Sequence, residues 1–379
     1  MEKQKIYLDY NATAPLLPGV WDAMGPIMQA PTNPSALHFW GQQAKRWMNQ
    51  ARRDIADFID CHPDRLIMTS GGTEANNLVL NGFPWKHVFM SAVAHDSAYK
   101  AVEKAIEVPV TTQGLIDLEV LEALFKKYGT ESTKSILSVM HAHNETGIIQ
   151  PLKELREIAG KYGVYVHVDS TQALGKIPFS FDALEVDFLT LSAHKVGGPQ
   201  GVGALVAKKP SMIAPLSKGG GQERGRRSGT ENVAGIVGFA EALKRYPHNH
   251  GLMLQQWHHQ LEEELLSFSQ RERAPCYIYG QAVSRLPNTT CVAMPSVDAA
   301  TQVMRFDLEG IAVSMGAACS SGRTQVSRSL EKIGSDASFA SHAIRVSSGW
   351  DTQEDHLLKF TKVWKKIYTT LYEEVRHAS

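Results

Sequence analysis

Leu189–Ala207 reads LTLSAHKVGGPQGVGALVA, and the fold is decided by how this stretch is read. An apolar, strand-like run ends at Ser192, Ala193 and His194. A single lysine, Lys195, follows, and a glycine-rich turn leads into a second apolar run. Short apolar runs bounded by turn residues have the pattern of buried strands. A lysine at the mouth of such a strand is either a solvated loop cation or a buried amine that does chemistry, and loop cations are the commoner case. The choice between them turns on what the other strand mouths carry.

Moving outward, RLIMTSGGTEANNLVLNGF gives a strand, the pair Gly71 and Gly72, and a helix beginning near Thr73. The glycines allow a tight turn and the helix start offers free N–H groups to an anion, although glycines before a helix are also plain turn chemistry. The pattern lacks the lysine of a nucleotide P-loop and the spacing of a dinucleotide fingerprint. HVFMSAVAHDSAY places His95 after another apolar run, where a structural histidine is the ordinary reading. SILSVMHAHNETGIIQP ends in His141, His143, Asn144 and Glu145. Two histidines without a third ligand at a suitable spacing do not make a metal site, so no metal is expected. In GVYVHVDSTQALGK, Val164, Val166 and Val168 alternate with Tyr165, His167 and Asp169, which sets Asp169 at the carboxyl end of a strand. Open α/β sheets keep their ligands at such ends.

Helical stretches such as LKELREIAGKYG alternate with these strands, which predicts βα units around a mostly parallel sheet. A further helix is expected over residues 42–60, with PTNPSALHF before it as a loop. From about Gly251 the pattern changes to a long helix (MLQQWHHQLEEELLSF), separate strands around Tyr277 and Cys291, and a closing amphipathic helix from Asp355 to Val375. Two units are expected: residues 14–254, and a smaller α+β unit of residues 1–13 with 255–379, its first strand lent by the N-terminus.

The 379 residues, 43% hydrophobic and 21% charged, are ordinary for a globular protein of about two domains. Lys+Arg and Asp+Glu are both 39, so no net charge argues for nucleic acid or an anionic membrane. No signal peptide and no spanning segment is read, and the protein is expected to be cytoplasmic. Cys61, Cys276, Cys291 and Cys319 form no CxxC pair, so free thiols are expected. Cys291 reads as a core residue, whereas MGAACSSGR puts Cys319 on a loop of small residues where a thiol can react.

A phosphate cup (Gly72, Thr73), an acid (Asp169), an amide (Asn144), an imidazole (His95) and Lys195 are together the parts that hold pyridoxal 5'-phosphate. In such sites the lysine forms a Schiff base, the acid keeps the ring nitrogen protonated, and a flat side chain covers the ring. The chain resembles the NifS/IscS-type cysteine desulfurases of the class V aminotransferase group. YLDYNATAP, NPSALH, TSGGTEANN, HNETG, HVDSTQALGK, LSAHKVGGPQGVGAL, RRSGTENVAG, LPNTT, AACSSG and IRVSSG carry the likeness along nearly the whole length.

The resemblance implies pyridoxal phosphate fold-type I: a large domain with a mostly parallel seven-stranded sheet flanked by helices, plus a smaller α+β domain carrying the cysteine loop. It implies Lys195 as the Schiff-base lysine, Asp169 at the pyridinium nitrogen, Gln172 and Asn144 on the ring-oxygen side, and His95 stacked on the ring and moving protons. Gly72, Thr73, Ser192 and His194 would hold the phosphate, with Thr230 reaching in from the partner subunit of a homodimer. Arg345, with Asn144, would bind the substrate, and its planar fork suits a carboxylate. The implied reaction converts L-cysteine to L-alanine, with the sulfur taken as a persulfide on Cys319 and passed to an acceptor such as an iron–sulfur scaffold. The length of the loop after Ala317 resembles the branch that serves iron–sulfur cluster assembly. A related lyase or aminotransferase acting on another amino acid, such as selenocysteine, is the alternative. Trp350 stands where a second arginine is common in the family, and Met315, His143 and Ala94 also depart from its pattern.

Overall fold

The computed structural model describes residues 5–128, 134–247, 249–315, 326–333 and 337–378, and side chains for these as far as residue 371 except at 337 and 338. Its strands in chain order are β1 (Ile6–Tyr7), β2 (Leu66–Thr69), β3 (His87–Ser91), β4 (Ile106–Val108), β5 (Ser135–Met140), β6 (Tyr165–Asp169), β7 (Phe188–Ser192), β8 (Gly203–Ala207), β9 (Tyr277–Ile278), β10 (Thr289–Ala293), β11 (Ile311–Ala312), β12 (Ser314–Met315) and β13 (Ala343–Ser347). The helices that matter for the site are α1 (Val20–Gln29), α2 (Phe39–Phe58), α3 (Gly72–Asn81) and α4 (Asp96–Tyr99).

A seven-stranded sheet runs in the order β2-β8-β7-β6-β5-β3-β4. From β7 through β6, β5 and β3 to β4 every pairing is parallel, while β8 is antiparallel to both β2 and β7. One strand of seven is therefore reversed, and the sheet is mostly parallel as expected. β7 and β8 are the two runs flanking Lys195, and they return on each other directly instead of through a crossover helix. The alternation read in β6 has a cause on both faces. Val166 and Val168 pack in the core beneath α2 and the helix Val233–Arg245, while Tyr165 on the other face packs with Trp85 and Phe188. His167, buried between them, is satisfied by Ser138 Oγ at 2.9 Å and Thr190 Oγ1 at 3.0 Å.

The helix expected at 42–60 starts earlier, at Phe39, because the imidazole of His38 accepts the Gly41 N–H and caps it there. Gly41 is required at this entry, since a Cβ would lie 2.1 Å from the Ala36 carbonyl oxygen. A second core gathers Leu261, Leu265 and Phe268 of the helix His250–Glu272 with Phe360 and Trp364 of the helix Glu354–Ala378. They pack beside an antiparallel sheet of order β12-β13-β10-β9. β1 pairs in parallel with β11, and Asp9 bridges to Ser347 of β13, so the N-terminal strand joins this half of the molecule. The helix His250–Glu272 runs unbroken across residues 254 and 255. Among the described residues, no helix is long and apolar enough to cross a membrane.

Candidate active site

The carboxyl ends of β2, β3, β5, β6 and β7 converge on one cavity of about 330 Å³. Its lining includes Gly72 and Thr73 after β2, His95 and Ser97 after β3, and Asn144 after β5. Asp169, Thr171 and Gln172 close β6, and Ser192, His194 and Lys195 close β7. Nine of the expected residues are thereby brought together, and Arg345 from β13 is the tenth. Two are not. Thr230 is exposed and is not among the lining residues, and Cys319 lies outside the described residues.

Lys195 stands in a single turn of 3-10 helix that begins where β7 ends, and its Nζ donates to the carbonyls of Asn11 at 2.6 Å and Ala12 at 2.7 Å. The loop-cation reading is thus replaced by an amine held against two carbonyls inside the pocket. Asp169 is oriented from both sides: Asn76 Nδ2 donates to Oδ2 at 2.8 Å and the Thr171 N–H donates to Oδ1 at 3.0 Å. His95 caps α4, its Nδ1 accepting from the Ser97 N–H at 3.1 Å. In a neutral ring the proton then sits on Nε2. His194 has Nδ1 beside Thr13 Oγ1 at 3.1 Å; burial, and then the charges of Lys195 and Lys176, push its pKa down to about 4.

Arg345 is almost fully buried, with Nη2 donating to Asp9 Oδ1 at 2.6 Å and Nη1 to the Asn144 carbonyl at 3.0 Å. Its Nε has no partner among the described residues. Next to Asn144, Glu145 is buried with Oε2 unpartnered among the described residues, and burial pushes its carboxyl up to about 7 against the opposing pull of Ser327, Arg345 and His95. Burial holds His141 and His143 down to about 4 and about 3, which suits packed neutral rings; no group of three ligating side chains that could hold a metal occurs among the described residues.

Several features fit pyridoxal phosphate. α3 points its N-terminus into the cavity with no side-chain cap at Gly71, so its first N–H groups are left for an anion. The buried Thr171 Oγ1 beside it has no partner among the described residues, and a Cβ on Gly72 would approach that oxygen to 3.0 Å. A phosphate-sized acceptor at this corner satisfies both, and Asp169 is the only carboxylate among the described lining residues.

Sequence reasoning overlooked Asn11 and Lys176. Asn11 accepts from Lys195 and Gln172 on its carbonyl and from Lys176 on its side-chain oxygen, and its own amide reaches Thr289. Both residues lie inside stretches that carried the family likeness, YLDYNATAP and HVDSTQALGK, but no local pattern marks them. The free-thiol expectation holds for Cys61, Cys276 and Cys291; Cys291 is buried in β10, and burial pushes Cys61 and Cys276 up to about 12. Trp350 donates to the Pro15 carbonyl at 3.1 Å and packs beside Leu17, Val20 and Met24, so it is used as a packing residue here.

A seven-stranded α/β sheet with a lysine, a carboxylate and a helix N-terminus at its strand ends defines a class of cofactor enzyme, and the comparisons make it specific. The sequence profile of the aminotransferase class-V family matches residues 6–360. The cysteine desulfurase IscS of Dictyoglomus turgidum is 37% identical, covering 97% of this chain and 96% of its own. A NifS-like protein from Rickettsia africae superposes with a TM-score of 0.87 at 35% identity, covering 97% of this chain and 100% of its own. A structure of SspA in complex with cysteine superposes with a TM-score of 0.77 at 27% identity, covering 91% and 99%. The chain belongs to the class V aminotransferase family, within its group of NifS/IscS-like cysteine desulfurases.

Proposed function

We propose that the protein is a pyridoxal 5'-phosphate-dependent cysteine desulfurase that converts L-cysteine to L-alanine and passes the sulfur, as a persulfide on Cys319, to an acceptor protein for iron–sulfur cluster assembly. The observation that carries this reading is the presence of Lys195, Asp169, His95 and the uncapped start of α3 on one cavity. The cofactor supplies an electron sink that weakens the Cβ–Sγ bond of the substrate.

The chain's own groups do the rest. Lys195 presents its amine from the end of β7, with two of its N–H groups held by Asn11 and Ala12. Asp169, locked by Asn76 and Thr171, keeps a carboxylate fixed for the ring nitrogen. Gly72, Thr73, Ser192 and His194 form the phosphate corner, and Gln172 and Asn144 supply amides on the ring-oxygen side. His95 can take or give a proton at Nε2, and Arg345 meets the substrate carboxylate with the N–H groups that Asp9 and Asn144 leave over. Half-buried Cys61 and Cys276 and buried Cys291, their thiols pushed up by burial, are poor nucleophiles, which supports the remaining cysteine, Cys319, as the sulfur carrier.

A homodimer in which Thr230 completes the partner's phosphate corner agrees with its exposure here. The two cores support a division into residues 14–254 and residues 1–13 with 255–379. A cytoplasmic location is supported by the balanced charge and the unpaired thiols.

The experiment is an absorbance scan of the purified protein before and after borohydride, followed by C319A. We expect a yellow protein whose band is lost on reduction, and a C319A variant that keeps the band but releases no sulfide from cysteine. A protein that takes up no cofactor would refute the enzyme reading, and sulfide release by C319A would refute the persulfide route.

A further inference from the structure

Lys176 is 9% exposed, and lysines that deeply buried are rare unless paired with an acid. Its Nζ donates to Gln172 Oε1 at 2.6 Å and to Asn11 Oδ1 at 2.7 Å, both neutral amide oxygens. No salt bridge to it is found among the described residues. Packing alone is a poor reason to keep it, because an amine of this kind costs more to bury than an apolar side chain of the same length.

The consequence lies in what the two acceptors are. A glutamine amide can present either its oxygen or its nitrogen to a given neighbour. With Lys176 holding Oε1, Gln172 must turn Nε2 the other way, where it donates to the Asn11 carbonyl at 2.9 Å. The same carbonyl receives Lys195 Nζ at 2.6 Å. Lys176 and Lys195 thus grip one asparagine, by its side-chain and main-chain oxygens respectively, and Gln172 ties them together.

We propose that Lys176 is a positioning residue for the cofactor site: it fixes the Gln172 carboxamide with its donor nitrogen on the pocket side, and through Asn11 it sets the place of Lys195. Burial, and then the nearby charges of Lys195 and Arg345, hold its pKa well below the usual lysine value, so it can serve as a donor without a counter-ion. The other titratable groups facing this seam are His194 on the same turn as Lys195, Asp169 at the end of β6, His95 before α4, and Asp9 against Arg345.

This inference rests on the pyridoxal phosphate reading, and its test separates the two. Apo-protein is made as wild type, K176M, Q172A and the double variant. Melting of each apo form checks folding; cofactor affinity and the pH midpoint of the long-wavelength band are then measured. We expect K176M to bind pyridoxal phosphate roughly tenfold more weakly, the loss typical of one misdirected buried hydrogen bond. Its band midpoint should move upward, since a donor facing the ring oxygen is lost. In the Q172A background K176M should change both quantities less than it does in the wild type, because the part of its effect that passes through that amide is already gone and only the route through Asn11 is left. If K176M does not fold, K176Q is taken through the same cycle. Unchanged affinity and midpoint in the lysine variant, or effects that add fully to those of Q172A, would overturn the proposal. A wild type that takes up no cofactor would overturn the reading beneath it as well.

Discussion

Replacing Glu145 by glutamine separates an electrostatic cost from every other effect at that site. The carboxyl is buried with one oxygen unpartnered among the described residues, and burial raises its pKa from 4.5 to about 7. Between those two values the folded protein holds a proton that the unfolded chain has lost, so stability falls as pH rises through the window and levels off above it. The raised value corresponds to about 3 kcal/mol in total, of which about 2.5 kcal/mol falls between pH 5 and pH 8. Glutamine does not titrate, and its amide resembles the protonated acid in shape. E145Q should therefore gain about 2.5 kcal/mol relative to wild type on going from pH 5 to pH 8, whatever constant offset the new amide brings. His143 pulls the other way, because its folded pKa is depressed to about 3 and its contribution to stability is lost as pH falls below about 6.5; being present in both proteins, it cancels. The assay is urea unfolding of both proteins at pH 5 and pH 8. An offset between them that is the same at the two pH values would refute a buried, proton-holding Glu145.

Two further outcomes follow from the site. R345K keeps the charge but loses the fork that spans Asp9 and the Asn144 carbonyl; kcat/KM for cysteine should fall about a hundredfold, mainly through KM, and steady-state alanine formation checks this. G203A puts a Cβ 2.6 Å from the Leu191 carbonyl oxygen and 2.7 Å from Gly71 Cα, so β8 must move and take the glycine turn before α3 with it. It should lower the thermal midpoint and weaken phosphate and pyridoxal phosphate binding together, as titration calorimetry on apo-protein would show.

The parts of the site that the sequence announced are those placed by local structure. Asp169 and Lys195 follow apolar strands, and Gly72 opens a helix, so strand ends and turn chemistry gave their positions and an α/β sheet rule brought them to one edge. What could not be read depends on distant closure. Asn11 lies more than 160 residues from Gln172 and Lys195 and has no periodic pattern, yet it joins them. Arg345 could be named from its motif, but its pairing with Asp9 across 336 residues could not. Lys176 looks like any lysine after a glycine turn until packing removes its water. The early start of α2 at Phe39 was missed because a histidine cap is weaker in sequence than serine or aspartate.

Asn11 also receives Asn288 Nδ2 on its side-chain oxygen, and its own N–H donates to Ser347, so its neighbours come from both sheets. In mechanical language it is a pin through the joint between them. Any motion that parts the seven-stranded and four-stranded sheets must strip the bonds of Asn11 to one side or the other. Opening the joint would therefore disturb the very residue whose carbonyl, with that of Ala12, holds the lysine, and a chain lacking this one side chain would have a looser joint beside that amine.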